Sequence, residues 1–383
     1  MHRVDLVIMN GRSNGSDVER MVDNTRVAVT RDLIDYGRDC GAFGNIIVGT
    51  NDPDLAQSLM GLPSVIVERD PEGEAFHFGK RLQALIAKYK IERLLYFGGG
   101  SAPLISKAAL CELAEKVRIA DRLFIANNFY SVDFCGFAPA SALLAFEPPT
   151  HDNGLGWLFS DKVGFKAVEL PRTVESLFDV DTPTDLLALS LHPNVPPHTR
   201  ACLASLRLDT RQAQAASAVF LDQASEVLIS GRVSGSTISY LERETASRSR
   251  VYSEERGMRA DGRLARGEVR SLLGMHLANV GVECFFAEVV PQLCQAAFLD
   301  DRVLWADRGI WPSVADRFHS DLLLTAAIAE PFVQRFTAAA ASCPVPVVLG
   351  GHSLVTGGLR VFVESAWARS SKEVNRPVER TKV

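Results

Sequence analysis

The run Leu94-Leu95-Tyr96-Phe97 meets three consecutive glycines, Gly98-Gly99-Gly100, and then Ser101-Ala102-Pro103-Leu104. An apolar run that stops at such a loop reads as a buried strand whose end the backbone of a ligand site can approach closely. In an open α/β sheet, ligands gather beyond the carboxyl ends of the strands, which is where this loop falls.

The rest of the first half repeats the same rhythm. Val4 to Met9 is a strand leading into the polar loop Asn10-Gly11-Arg12-Ser13-Asn14-Gly15. Helical spacing follows over 22–38, a strand over 45–49, a short helix over 52–60 and a strand over 64–67. A helix over 74–90, with Leu82, Leu85, Ile86 and Tyr89 on one face, delivers the chain to the strand at 94–97. Repeated β–α alternation predicts parallel, doubly wound pairing. A helix over 106–117 and a strand at 123–126 precede the polar segment Asn127 to Phe134, which contains Asp133. His77, Lys80 and Arg81, at the start of the 74–90 helix, are candidates for meeting an anion or for ordinary capping and surface charge.

The stretch Phe178-Asp179-Val180-Asp181-Thr182-Pro183-Thr184-Asp185 switches from strand to helix, with Thr182 as N-cap and Pro183 at the first helical position. Asp181 stands at the strand's carboxyl end, where a metal ligand belongs, and Asp185 suits the helix dipole. Three prolines between His192 and His198 stop the helix and mark a boundary. The expected organisation is a first domain over 1–191, a linker over 192–208, a second α/β domain over 209–369 and a charged tail over 370–383.

In the second half, Val227 to Ser230 enters Gly231-Arg232-Val233-Ser234-Gly235, helices are expected over 264–279 and 284–298, a strand over 302–306, and a last strand over 345–349 enters Gly350-Gly351-His352-Ser353. Glycine loops with Arg232, Arg256 and Arg259 nearby can cradle a phosphate or be turns with salt bridges. The tryptophans Trp305, Trp311 and Trp367 read as core.

With 383 residues, 47% of them hydrophobic, the chain can bury two cores without staples. A net charge of −5 gives no basic surplus for nucleic acid or an anionic membrane. The seven cysteines form no CxxC pair, which argues against a zinc cluster or a disulfide framework and reads as small buried side chains in a reducing compartment. The N-terminal apolar stretch is too short for a signal segment, so a cytoplasmic protein with no membrane association is expected. A homo-oligomer is compatible with all of this.

The closing motif LFDVDTPTDLLAL, with YFGGGSAPLIS, resembles the small nucleotidyltransferases of glycosyltransferase-A-like fold, such as the molybdenum-cofactor nucleotidyltransferases and phospholactate guanylyltransferases. The resemblance covers about residues 1–190 and implies a mixed α/β sheet there, followed by a Rossmann-like second domain that nothing identifies. It implies Mg²⁺-dependent transfer of a nucleotidyl group from a nucleoside triphosphate to a small phosphorylated or acidic acceptor, with release of pyrophosphate. Asp181 and Asp133 then hold the metal and serve catalysis, while Asn10, Gly11, Arg12, Gly98, Gly99, Gly100 and Ser101 contact the nucleotide. Ser101 stands where that family has an aspartate, and no lysine follows the opening loop before Lys80. The rival reading is a nucleotide- or sugar-phosphate-binding protein without transfer, or one whose chemistry lies in the second domain, with Arg232, Arg256, Gly350, Gly351, His352 and Ser353 as its candidates.

Overall fold

A computed structural model describes residues 3–374 except 14, 72 and 74. By contacts the chain forms two compact units: residues 1–14, 20–180 and 196–202 in the first, and 15–19, 181–195 and 203–383 in the second. The sequence places the first boundary at 191, and the side-chain bonding explains the difference. Thr184 Oγ1 donates to Leu349 O at 2.7 Å and Ser353 Oγ to Asp185 Oδ2 at 2.9 Å, which tie the helix Pro183–Leu191 into the second unit. The stretch after it returns to the first unit. Asp32 accepts from His198 N at 2.9 Å, from Thr199 N at 2.8 Å and from Thr199 Oγ1 at 2.7 Å. The expected linker over 192–208 is largely the helix Pro197–Leu206.

The first unit is built on a seven-stranded sheet. Its strands are β1 (Val4–Met9), β2 (Phe43–Thr50), β3 (Val65–Arg69), β4 (Leu94–Gly98), β5 (Leu123–Ala126), β6 (Phe134–Ala138) and β7 (Lys166–Glu169), in the order β3-β2-β1-β4-β6-β5-β7. β6 runs antiparallel to both of its neighbours, and the other pairs are parallel. The sheet is therefore mixed, as the family resemblance implies, and not purely parallel as the β–α rhythm alone predicts. β6 was hidden because Phe134-Cys135-Gly136-Phe137-Ala138 is buried throughout, so it shows no alternation. Val7, Leu82, Tyr96, Phe124, Phe137 and Phe159 belong to one core cluster on a face of this sheet. The helix expected over 74–90 spans Phe78–Tyr89, with Glu74 outside the described residues.

The expected strand over 178–181 is reduced to a single antiparallel bridge between Ser101 and Asp179. A short helix, Val174–Leu177, occupies the residues before it.

The second unit carries β8 (Glu226–Gly231), β9 (Arg248–Ser253), β10 (Ala296–Asp300) and β11 (Val347–Gly350), all parallel, in the order β11-β10-β8-β9. The strand expected over 302–306 is instead the helix Asp301–Asp307, and the strand lies immediately before it. Val303, Leu304 and Trp305 are buried on all sides, and a short apolar run buried all round looks like a strand in sequence. Leu228, Phe286, Leu299, Trp305 and Phe336 share the unit's core. Trp305 is core as expected, but Trp311 and Trp367 are partly exposed. Position 231 admits only glycine: its φ is 122°, and a Cβ there would overlap the Asp300 side chain.

Among the described residues no single helix is long and apolar enough to cross a membrane. Cys40 and Cys111, read as free thiols from their spacing, are joined by a disulfide with Cα atoms 5.7 Å apart. They end the helix Asp17–Cys40 and sit near the start of the helix Lys107–Ile119, a juxtaposition that a separation of 71 residues does not reveal. Of the charged tail expected over 370–383, residues 370–374 end the helix Leu359–Val374, and 375–383 lie outside the described residues.

Candidate nucleotide site in the first unit

β1 and β4 are neighbours, so Asn10 and the glycine loop emerge side by side. Gly99 N donates to Met9 O at 2.9 Å and Gly98 N to Asp133 O at 2.9 Å, which ties the loop to β1 on one side and to the approach to β6 on the other. The packing around Gly99 is close: an added Cβ would lie 2.6 Å from Asn10 Cγ and 2.9 Å from Asn10 Cα. Asn10 is buried, and its Nδ2 donates to Thr30 Oγ1 at 2.8 Å. Thr30 in turn donates to Gly99 O at 3.3 Å. Gly99→Ala is therefore expected to push the loop off Asn10 and lower stability by about 1–3 kcal/mol, as read by urea denaturation.

Gly100 closes the loop against the following chain. Its carbonyl accepts from Val180 N at 2.9 Å. Its own N–H has no acceptor among the described residues. An added Cβ on Gly100 would stand 3.0 Å from Arg26 Cγ and 3.2 Å from Arg26 Nε, so the Arg26 side chain packs against this glycine. Arg26 is held in place by Nε donating to Val180 O at 2.7 Å and by a longer contact with Asp23 at 3.9 Å.

Ser101 is placed otherwise than the resemblance implies. It is 3% exposed, and its hydroxyl donates to Gly98 O at 2.8 Å, so it closes the loop rather than facing a ligand. Asp133 is half-buried, and its Oδ2 accepts from Asn127 Nδ2 at 2.7 Å. Asn127 Oδ1 accepts from the backbone N–H of Asp133 at 3.0 Å, so the two side chains lock the segment before β6. Gly11 lies in the loop after β1. Arg12 is engaged by Asp52 at 3.3 Å and by Asp54 at 3.0 Å, and the carboxylates raise its pKa. Asp181 directly follows Val180 in the chain. Its carboxylate is exposed, and its N–H donates to Asp185 Oδ2 at 3.0 Å. His77 caps its helix by accepting from Lys80 N at 3.4 Å, and Arg81 pairs with Asp70 at 3.0 Å, so these residues have the structural roles set against an anion site.

Sequence reading missed Arg26, Asp23 and Thr30. All three project from one face of the helix Asp17–Cys40, at the i, i+3 and i+7 positions that share a face. That spacing was the available signal. Nothing in it says that the face meets the β4 loop.

Carboxylate and amide oxygens are the donors that Mg²⁺ or Mn²⁺ prefers. Among the described residues no group of three or more His, Cys, Asp or Glu side chains could hold a metal ion. Asp133 belongs to the first unit and Asp181 to the second, and an ion beside a nucleotide usually draws most of its shell from phosphate oxygens and water.

In the second unit, Gly350 ends β11, and Arg232, Arg256, Gly351, His352 and Ser353 follow the carboxyl ends of β8, β9 and β11. Ser353 is buried and bonded to Asp185, and Asp321 is held by Arg302 at 2.6 Å and 2.7 Å, so Ser353, His352 and Asp321 form no triad. His352 is reached by solvent, yet burial of its ring and the nearby Arg232 hold its pKa down to about 4.

No protein-family model and no curated protein matches this sequence. Solved structures similar to it include a cytidylyltransferase from Leptospira borgpetersenii, at 15% identity over 54% of this chain and 94% of that one, with a TM-score of 0.39. A nucleotidyl transfer enzyme from Methanothermobacter is similar at 17% identity over 48% of this chain and 94% of its own, with a TM-score of 0.38. Rv0371c of Mycobacterium tuberculosis, solved in complex with manganese, is similar at 16% identity over 48% of this chain and 95% of its own, with a TM-score of 0.32. Each of these likenesses covers about half of the chain.

Proposed function

We propose that the first unit binds a nucleoside triphosphate at the β4 loop and transfers its nucleotidyl group to a small phosphorylated or acidic acceptor. The observation that carries this reading is the Gly100 N–H, which has no acceptor among the described residues, in a loop at the end of a central strand against which Arg26 packs. A backbone donor and a fixed cation together suit a phosphate oxygen. Asn10, buried and anchored to Thr30, sets the floor on which the nucleotide rests.

In the reaction an acceptor oxygen attacks the α-phosphorus. A new P–O bond forms, and the bond to the departing pyrophosphate breaks. Gly100 N–H and Arg26 hold phosphate oxygens and offset the charge that builds on them. Asp133 and Asp181 are the carboxylates assigned to a divalent ion, Mg²⁺ by preference. The bound ion supplies further charge neutralisation on the phosphates. Ser101 lies outside this set because its hydroxyl is turned into the loop.

That same inward hydroxyl favours a second reading, in which the nucleotide is bound but not transferred. The two separate in a pyrophosphate-release assay with each nucleoside triphosphate, Mg²⁺, and panels of sugar phosphates and small carboxylic acids. Transfer predicts release with one acceptor class. Saturable nucleotide binding without pyrophosphate from any acceptor would leave the binding reading.

A further inference from the structure

Nucleotidyl transfer has no use for the disulfide between Cys40 and Cys111. Both cysteines are half-buried, so a small thiol reagent can reach the bond, and the other five cysteines remain thiols. A single bond among thiols that stay reduced is the pattern of a redox-responsive pair, whereas a structural framework pairs its cysteines throughout.

The bond joins the two helices that flank the glycine loop. Cys40 ends the helix Asp17–Cys40, whose Thr30 donates to Gly99 O at 3.3 Å and whose Arg26 packs against Gly100. Cys111 lies in the second turn of the helix Lys107–Ile119, which begins where the loop ends, with Ser106 as its cap. The Cα atoms are 5.7 Å apart, within the span a disulfide requires. The covalent ring runs from 40 to 111 and so encloses β2, β3, β4 and the whole loop. Lys107 Nζ also meets Asp39 Oδ2 at 3.1 Å, but both partners are exposed, so this pair holds the helices weakly.

The chain between the loop and the second helix is strained. Ala102 is buried at a φ of 49°, in the left-handed region that a residue with a Cβ occupies only under constraint. Its carbonyl accepts from Ile105 N at 3.0 Å, which holds the turn leading to Ser106. Unbonded sulfurs cannot approach as closely as bonded ones. Breaking the disulfide therefore moves Cys111 away from Cys40 and takes the start of its helix with it. The helix itself stays folded on Leu110, Leu113, Ala114 and Val117, all buried. The strained turn at Ala102, between that helix and β4, is where the chain gives first.

We propose that Cys40–Cys111 is a reversible redox clamp on the glycine loop: the oxidised pair holds residues 98–106 in the conformation described above, and reduction by a dithiol releases them. In the exchange a thiolate of the dithiol attacks one sulfur, and the Cys40–Cys111 bond breaks. The reagent's second thiolate then attacks the mixed disulfide and frees the remaining cysteine. The protein gains two electrons and two protons as two thiols, and the dithiol leaves as its own disulfide. The clamp acts on the loop whether or not a nucleotide binds there.

The test compares full-length protein oxidised with diamide and reduced with dithiothreitol. Alkylation by iodoacetamide in urea should add five adducts to the oxidised protein and seven to the reduced one. Hydrogen exchange read by mass spectrometry should be about tenfold or more faster over 98–106 in the reduced protein, unchanged in β1 and β2, and restored by reoxidation. Cys40→Ser and Cys111→Ser should each exchange like the reduced protein whichever reagent is used. Equal exchange over 98–106 in the oxidised and reduced proteins would overturn the proposal. So would seven adducts after diamide, which would show that the pair does not join, or unfolding on reduction, which would make the bond a structural staple.

Discussion

Asp181→Asn and Asp133→Asn should each lower pyrophosphate release by about 10²–10³-fold, the range seen when one charge-stabilising group is removed from a transfer site. An amide keeps the shape of the side chain and removes the charge that a divalent ion needs. Asp181 is exposed and its charge repels the buried Asp185, so its replacement should not lower the melting temperature. Asp133 accepts a hydrogen bond from Asn127, so Asp133→Asn should cost about 1 kcal/mol of stability in addition. Nucleotide affinity in the absence of metal should change little in either variant. A variant that lost nucleotide binding and transfer together without metal would point instead to a collapsed loop.

The second large effect concerns Asp185. This carboxyl is buried at the start of the helix Pro183–Leu191, and its Oδ2 accepts from Asp181 N, Thr182 N, Thr182 Oγ1 and Ser353 Oγ. Its Oδ1 is buried without a partner. Burial, with Asp181 nearby, raises its pKa from 3.8 to about 7, against the lowering effect of the backbone donors. The folded state therefore holds a proton that the unfolded chain releases between about pH 4 and pH 7. The stability this supplies is present in full below about pH 4 and is lost as the pH rises through 7, by about 4 kcal/mol at most. Asp185→Asn mimics the neutral carboxyl and should flatten this dependence. Asp185→Ala should remove the cap and lower stability by about 2 kcal/mol or more at pH 4, with the gap to wild type narrowing as the pH rises toward 7, because the variant lacks the titrating group. Urea unfolding followed by tryptophan fluorescence between pH 4 and 8 tests this, because Trp305, Trp311 and Trp367 all lie in the second unit. A wild-type midpoint that rises steadily from pH 4 to 7 in step with Asp185→Asn would sink the assignment.

Much of the first unit was legible because its strands carry short apolar runs that end in glycine or asparagine. β1, β2, β4 and β5 were readable in this way, and so was the strand-end position of the glycine loop. β6 was not, since a strand buried on both faces gives no alternation. The boundary at Val180–Asp181 was hidden for another reason. Proline punctuation marks where a helix stops, whereas unit membership follows the contacts of Thr184 and Asp185 with residues more than 160 positions later. The site divides in the same way. Asn10 and Gly98–Gly100 announce themselves by residue type and place. Arg26 does not, because an arginine on an amphipathic helix is ordinary until tertiary packing sets it against Gly100. Ser101 was read from its position in a motif, and the direction of a hydroxyl is not a property of sequence.

The central claim is that the β4 loop binds a nucleoside triphosphate. Calorimetric titration of the full chain with each triphosphate in the presence of Mg²⁺ addresses it most directly. The prediction is saturable binding of at least one triphosphate, competed by pyrophosphate and weakened about tenfold in Arg26→Gln. No binding of any triphosphate up to about 10 mM with Mg²⁺ or Mn²⁺, in a folded protein, would contradict it.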